Sequence, residues 1–63
     1  MKKTIQDYER KAKQLNEKYP AIKAVAQISP FGGRLEIVVI DVKKAKALNE
    51  MFSEFTFTTN LYK

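Results

Sequence analysis

The sequence predicts an α+β domain with the element order α-β-β-α-β, a three-stranded sheet and both helices on one face of that sheet. Three observations predict it: two segments with apolar residues at helical spacing, two segments that alternate with period two around a Pro-Phe-Gly-Gly turn, and a C-terminal run of aromatic and β-branched residues. The chain has 63 residues, which is room for one hydrophobic core. We therefore expect residues 1–63 to fold as one domain.

The first helix is predicted from about Ile5 to Lys18. Thr4 and Asp7 have the spacing of a capping box at its start. Pro20 ends it, because the residue before a proline is driven out of the α region. The apolar residues of this segment fall on one helical stripe, namely Ile5, Tyr8, Ala12, Leu15 and Tyr19.

A β-hairpin is predicted next, from two alternating segments at residues 22–29 and 34–41. If Ser29 pairs with Arg34 across a four-residue loop, both apolar sets lie on the same side of the sheet. A slip of one residue would turn one set to the opposite face, so the loop and the pattern support the same register. In that register Ile28 faces Leu35, Ala26 faces Ile37 and Ala24 faces Val39.

A second helix and a third strand complete the predicted fold. Asp41 is a favourable N-cap for a helix from Val42 to about Ser53, after which the pattern changes to period two over residues 55–62. No internal repeat is read in the chain. The residues expected to face the core are Ala45, Leu48, Met51 and Phe52 in the helix, and Phe55, Phe57, Thr59 and Leu61 in the strand.

This order of elements resembles a ferredoxin-like fold that lacks its first strand. The third strand then lies either beside the second in parallel, or beside the first in a split β-α-β arrangement. Both remain open from the sequence, and the split arrangement is the one we expect. Many unrelated functions share this topology, so the resemblance implies no activity.

The sequence predicts a protein that is not an enzyme and carries no cofactor or metal. It contains no histidine and no cysteine, and neither Ser29 nor Ser53 has a base nearby in sequence. Glu36 and Asp41 fall on opposite faces of one strand, so they form no catalytic pair. Gly32 and Gly33 lie between two strands, where they serve a turn and not a phosphate-binding loop.

We expect a soluble, cytoplasmic protein. The lysines at the N-terminus are not followed by the apolar run of a secretory signal. No stretch approaches the roughly 18 apolar residues of a membrane span. The absence of cysteine suits a reducing compartment.

A lysine-rich end is the first candidate binding feature. The net charge is +5, and its excess lies in residues 1–34, with eight Lys or Arg against three acidic residues. The predicted fold gathers Lys18, Lys23, Lys43 and Lys44 at one end of the sheet, and Lys46 follows on the same helix. Because Lys43, Lys44 and Lys46 oppose the dipole of that helix, an anion or a nucleic-acid backbone is a reasonable ligand for this end.

The uncovered sheet face is the second candidate. Val25, Val38 and Ile40 form an apolar patch there, Phe31 stands at the hairpin tip, and Tyr62 belongs to an uncharged C-terminal strand that invites pairing with another strand. A core this small also favours self-association. We therefore expect a homodimer that acts through contact with a protein partner, as a regulator, adaptor or inhibitor, with a nucleic-acid-binding module as the alternative.

Overall fold

The computed structural model describes residues 3–30 and 32–59. Its elements are helix α1 (Ile5–Lys18), a 3₁₀ helix (Pro20–Ile22), strands β1 (Val25–Ile28) and β2 (Leu35–Val38), helix α2 (Val42–Met51) and strand β3 (Phe57–Thr58). The predicted class and element order are confirmed. Neither described helix has the length and apolar character needed to cross a membrane.

Helix α1 begins and ends where the sequence predicts. The backbone N–H of Asp7 donates to Oγ1 of Thr4, and the N–H of Thr4 donates to the Asp7 carboxylate, which completes a capping box. Helix α2 begins as predicted, with the Lys43 N–H donating to Asp41 at 2.8 Å. It ends at Met51, two residues earlier than predicted, because Phe52 leaves the α region with φ −126° and ψ 75°, although its N–H still donates to the Leu48 carbonyl at 2.8 Å.

The β-hairpin has the predicted register. Ile28 pairs with Leu35 and Ala26 with Ile37 in antiparallel β1 and β2. The Ser29 N–H donates to the Arg34 carbonyl at 2.7 Å across the four-residue loop. Gly32 and Gly33 both have positive φ in that loop, a conformation that glycine adopts at no steric cost.

Strand β1 starts later than the predicted residue 22. Pro20 opens a 3₁₀ turn, in which the Ile22 N–H donates to the Tyr19 carbonyl, and Lys23 then adopts a left-handed φ of 48°. Strand β2 is also shorter than residues 34–41, although the Ile40 N–H still reaches the Ile22 carbonyl at 3.3 Å. The alternation of apolar and polar residues in the sequence therefore extends further than the regular strand pairing of β1 and β2.

The third strand lies beside β2 and not beside β1, so the split arrangement is wrong. The sheet order is β1-β2-β3, and β3 is parallel to β2, with Ile37 opposite Phe57. The physical reason is the crossover through α2, which returns the chain beside the strand it has just left, where the N–H groups of Ile37 and Val39 donate to the Thr56 and Thr58 carbonyls at 2.8 and 2.9 Å. Regular pairing covers only Phe57–Thr58 of the predicted residues 55–62, and residues 60–62 lie outside the described part of the chain.

Both helices pack on the same face of the sheet. One core joins Tyr8, Ala12 and Leu15 of α1 to Ala45 and Leu48 of α2 through buried residues of the strand regions, namely Ala24, Ile37, Val39 and Phe57. Phe52 and Phe55 pack against this core as predicted, whereas Met51, predicted to face inward, is 60% exposed.

The chain contains an internal repeat, contrary to the interpretation from its overall pattern. Residues 11–17 read KAKQLNE and residues 44–50 read KAKALNE, so the two heptapeptides differ at a single position. Each lies in a helix, buries its second residue and its leucine, and is followed two residues later by an aromatic residue that caps the helix. The two capping residues, Tyr19 and Phe52, have nearly the same backbone angles, with φ −132° and −126° and ψ 77° and 75°.

The repeat defines two equivalent helix-strand units, α1 with β1 and α2 with β3. After each helix the chain turns back with an equivalent backbone hydrogen bond. The Ile22 N–H donates to the Tyr19 carbonyl and the Phe55 N–H to the Phe52 carbonyl, both at 3.1 Å. Strands β1 and β3 run in opposite directions on the two sides of β2. The two units therefore flank one central strand.

Candidate protein-binding site on the sheet edge

An asparagine from each helix covers the outer backbone of one residue at each edge of the sheet. Asn16 of α1 donates from Nδ2 to the Ala24 carbonyl at 2.8 Å and accepts the Ala24 N–H at 2.6 Å. Asn49 of α2 makes the same two bonds to Phe57, at 3.0 and 2.8 Å. These amides satisfy the groups that a further strand would otherwise bond, so they close the sheet edge at Ala24 and at Phe57.

Among the described residues, no group covers the rest of the β1 edge. The N–H groups of Ile37 and Val39 donate to carbonyls of the β3 region, so Ile37 directs its backbone groups away from β1. Its partner Ala26 therefore belongs to a pair without mutual hydrogen bonds and directs its own N–H and C=O outward. By the same alternation Ile28 does so too, which leaves two residues of β1 with outward backbone groups and no asparagine over them.

A groove of about 560 Å³ lies between α1 and this open edge. Ala12 and Ala26 form its floor, and their small side chains are the reason for its width. The exposed α1 residues Glu9, Lys13 and Glu17 form its outer rim. Next to it, Ile28 is 55% exposed at the end of β1 although it belongs to the face that the helices cover.

The predicted apolar patch is brought together only in part. Val25 and Ile40 are 50% and 66% exposed, whereas Val38, paired with Val25 and Thr58 on its two sides, is only 6% exposed. Beside Val25, the Gln27 amide donates to Glu36 at 3.2 Å, so the middle of this face is polar. Phe31 and Tyr62 lie outside the described residues.

The segments that carry the predicted lysine-rich end meet at one end of the sheet. The bond from Ile40 to Ile22 brings the start of α2 to the end of α1, and Lys44 lines a groove of about 150 Å³ with Tyr19 and Ile22. The ion pairs found in residues 3–30 and 32–59 join Lys3 to Glu54 and Arg10 to Asp7. None of them involves the lysines of this end, which are all exposed, namely Lys18, Lys23, Lys43, Lys44 and Lys46.

Three aromatic rings, those of Tyr8, Phe52 and Phe55, pack together away from the lysine-rich end. Tyr8 meets Phe55 edge to face with ring centroids 4.9 Å apart, and the Lys11 ammonium lies 3.6 Å from the centroid of Phe52. Contacts of this kind add to stability beyond the area they bury. They also occupy the faces of these rings, so we assign them to the core and not to a binding site.

Sequence reasoning missed the asparagines, the groove floor and the exposed Ile28. The repeated Leu-Asn-Glu tripeptide, at residues 15–17 and 48–50, was an available signal for the asparagines. The position of Ile28 as the last residue of a strand was a signal for its exposure. Among the described residues, no group of three or more His, Cys, Asp or Glu could hold a metal ion.

The chain was compared with family models, curated proteins and solved structures, and it matches none of them.

Proposed function

We propose that this chain is a non-enzymatic protein-binding domain, a regulator, adaptor or inhibitor, which takes up an extended segment of a partner along the open edge of β1. The observation that carries the proposal is the pair of outward-facing residues Ala26 and Ile28 beside the groove under α1. Strand addition to an exposed edge is a recurring mode of peptide recognition.

The edge offers a short, bounded site. Two outward residues provide two donors and two acceptors, and a segment that bonds all four gains about 0.5–1.5 kcal/mol net for each. The Asn16 side chain already bonds the N–H and the carbonyl of Ala24, so the segment cannot extend past the start of β1. The alanine floor of the groove accepts the alternate side chains of the segment, which supplies the remaining affinity and the specificity.

Amide hydrogen exchange tests the proposal directly. The probe is a set of blocked five-residue peptides of alternating Val and Thr, added at millimolar concentration to isotope-labelled protein. We expect slower exchange at Ala26 and Ile28, whereas the Phe57 amide, already bonded to Asn49, serves as the internal control. Peptides that leave both amides unchanged, or that bind elsewhere on the domain, would overturn the proposal.

A nucleic-acid backbone is the second candidate ligand, favoured by the exposed lysines of one end that lack ion pairs among the described residues. Binding of this kind weakens steeply with salt, because each neutralised phosphate releases counterions. The test is the salt dependence of binding to random DNA and RNA, for the natural chain and for Lys43→Gln with Lys44→Gln. An equal salt slope in both proteins would remove this candidate.

A further inference from the structure

Building on the proposed function, we infer that the segment taken up by β1 is β1 of a second copy. The two strands pair antiparallel about a two-fold axis, with Gln27 of one copy opposite Gln27 of the other. The two three-stranded sheets then join into one sheet of six strands. Two features of the β1 edge support this occupant: its hydrogen-bonding register and its shape.

The backbone allows one register of self-pairing that uses every open group. With Gln27 at the axis, Ala26 of each copy pairs with Ile28 of the other, and all four outward groups of each strand are bonded. Moving the axis to Ala26 would place Ile28 opposite Ala24, whose groups Asn16 already binds. Moving it to Ile28 would place Ala26 opposite Pro30, which has no N–H to donate.

The side chains are complementary in the same register. Ile28 of each copy lies opposite Ala26 of the other, on the face that α1 covers. There it enters the groove floored by Ala12 and Ala26, where small side chains leave space for a larger one. An isoleucine that is 55% exposed in one copy is thereby buried by the second.

Sedimentation equilibrium between 1 μM and 1 mM tests the inference with a matched pair of variants. Ile28→Lys places a charge in the groove of the second copy, and we expect at least a tenfold weaker dimer. Ile40→Lys adds the same charge at a similarly exposed residue on the opposite face, after β2 and away from the groove, and its dimer should stay within threefold of the natural chain. The reverse order would overturn the inference and assign association to the open face.

The outcomes also separate this inference from the function on which it rests. A natural chain that stays monomeric at 1 mM, while Val-Thr peptides still protect Ala26 and Ile28 from exchange, would overturn self-pairing and keep the binding edge. A chain that stays monomeric and whose Ala26 and Ile28 amides no peptide protects from exchange would overturn both self-pairing and the binding edge.

Discussion

At the scale of single residues, the side-chain amides of Asn16 and Asn49 make the backbone hydrogen bonds that a neighbouring strand would otherwise make. Each satisfies a backbone N–H and a carbonyl that no other strand bonds, and Phe57 is itself buried. A buried polar backbone group that loses its partner costs about 1–3 kcal/mol. The asparagines therefore both stabilise the fold and decide how far each edge remains open.

We predict that Asn16→Ala and Asn49→Ala each lower the free energy of unfolding by about 1–3 kcal/mol, because each leaves two backbone groups without a partner. Urea denaturation followed by circular dichroism measures the change. The matched controls are Glu17→Ala and Glu50→Ala, the next and exposed residues of the same helices, which should stay within about 0.5 kcal/mol of the natural chain. Asparagine variants that behave like these controls would contradict the role assigned to the amides.

Asp7 makes the stability of α1 depend on pH. The backbone N–H of Thr4 donates to its carboxylate at 2.9 Å and, with the Thr4 hydroxyl and Arg10, holds the pKa of Asp7 below its ordinary value of 3.8. Because the folded pKa is the lower one, the contribution is fully present above the unfolded value and is lost as the pH falls through the folded value. We predict an acid-side loss of stability, smaller in Asp7→Asn, and a carboxyl titration of Asp7 below 3.8 by NMR. A pKa for Asp7 at or above that value would contradict the capping box.

At the scale of elements, α2 has its lysines at the unfavourable end. Lys43 and Lys44 lie in its first turn, where the helix dipole is positive, and no acidic residue of that turn offsets them. One exposed charge of this kind costs about 0.3–1 kcal/mol at low ionic strength.

We predict that Lys43→Gln with Lys44→Gln raises the free energy of unfolding by about 0.5–1 kcal/mol at low salt, since both unfavourable charges are removed. The gain should disappear near 1 M salt, where the screening length falls to about 3 Å. Lys13→Gln, in the middle of α1, is the control and should change little. A double variant that is less stable than the natural chain at low salt would show that these lysines support the fold.

The elements that sequence reasoning predicted are those with long local patterns. Helix α1 has a capping box and a complete apolar stripe, and the β1–β2 register follows from two alternations joined by a loop of fixed length. Strand β3 has only two residues in regular pairing, so its neighbour depends on how the rest of the sheet is covered. That neighbour is fixed by the bonds from Ile37 and Val39 to the β3 region, which no local pattern reveals.

The candidate site was less predictable than the fold, because it depends on contacts across the chain. The exposed Val25 and Ile40 were correctly placed on one face, but the burial of Val38 depends on its neighbours in β1 and β3. The bonds from Asn16 to Ala24 depend on how α1 lies across the sheet, which no local pattern specifies. The lysine end was predictable, since it follows from topology alone.

At the scale of the whole molecule, the repeat explains why the sheet has two unequal edges. The same heptapeptide places an asparagine over Ala24 and over Phe57, but β1 continues for two further outward residues, whereas regular β3 has only one outward residue, and Asn49 covers it. The duplicated unit therefore closes one edge within the described residues and leaves part of the other open. Under the proposed self-pairing, one open edge within the described residues gives a closed dimer and not an open array.

A closed dimer makes stability depend on concentration, because association confined to the folded state stabilises that state by mass action. Above the dissociation constant of the dimer, we predict that the thermal midpoint of the natural chain rises by about 3–6 °C for each tenfold increase in protein concentration, given that 1 kcal/mol moves the midpoint of a domain this small by about 4–8 °C. Differential scanning calorimetry between 10 μM and 1 mM measures it. Ile28→Lys should lose most of this dependence and Ile40→Lys should keep it. A midpoint that stays constant in the natural chain over the range where sedimentation finds dimer would contradict the coupling of folding to strand pairing.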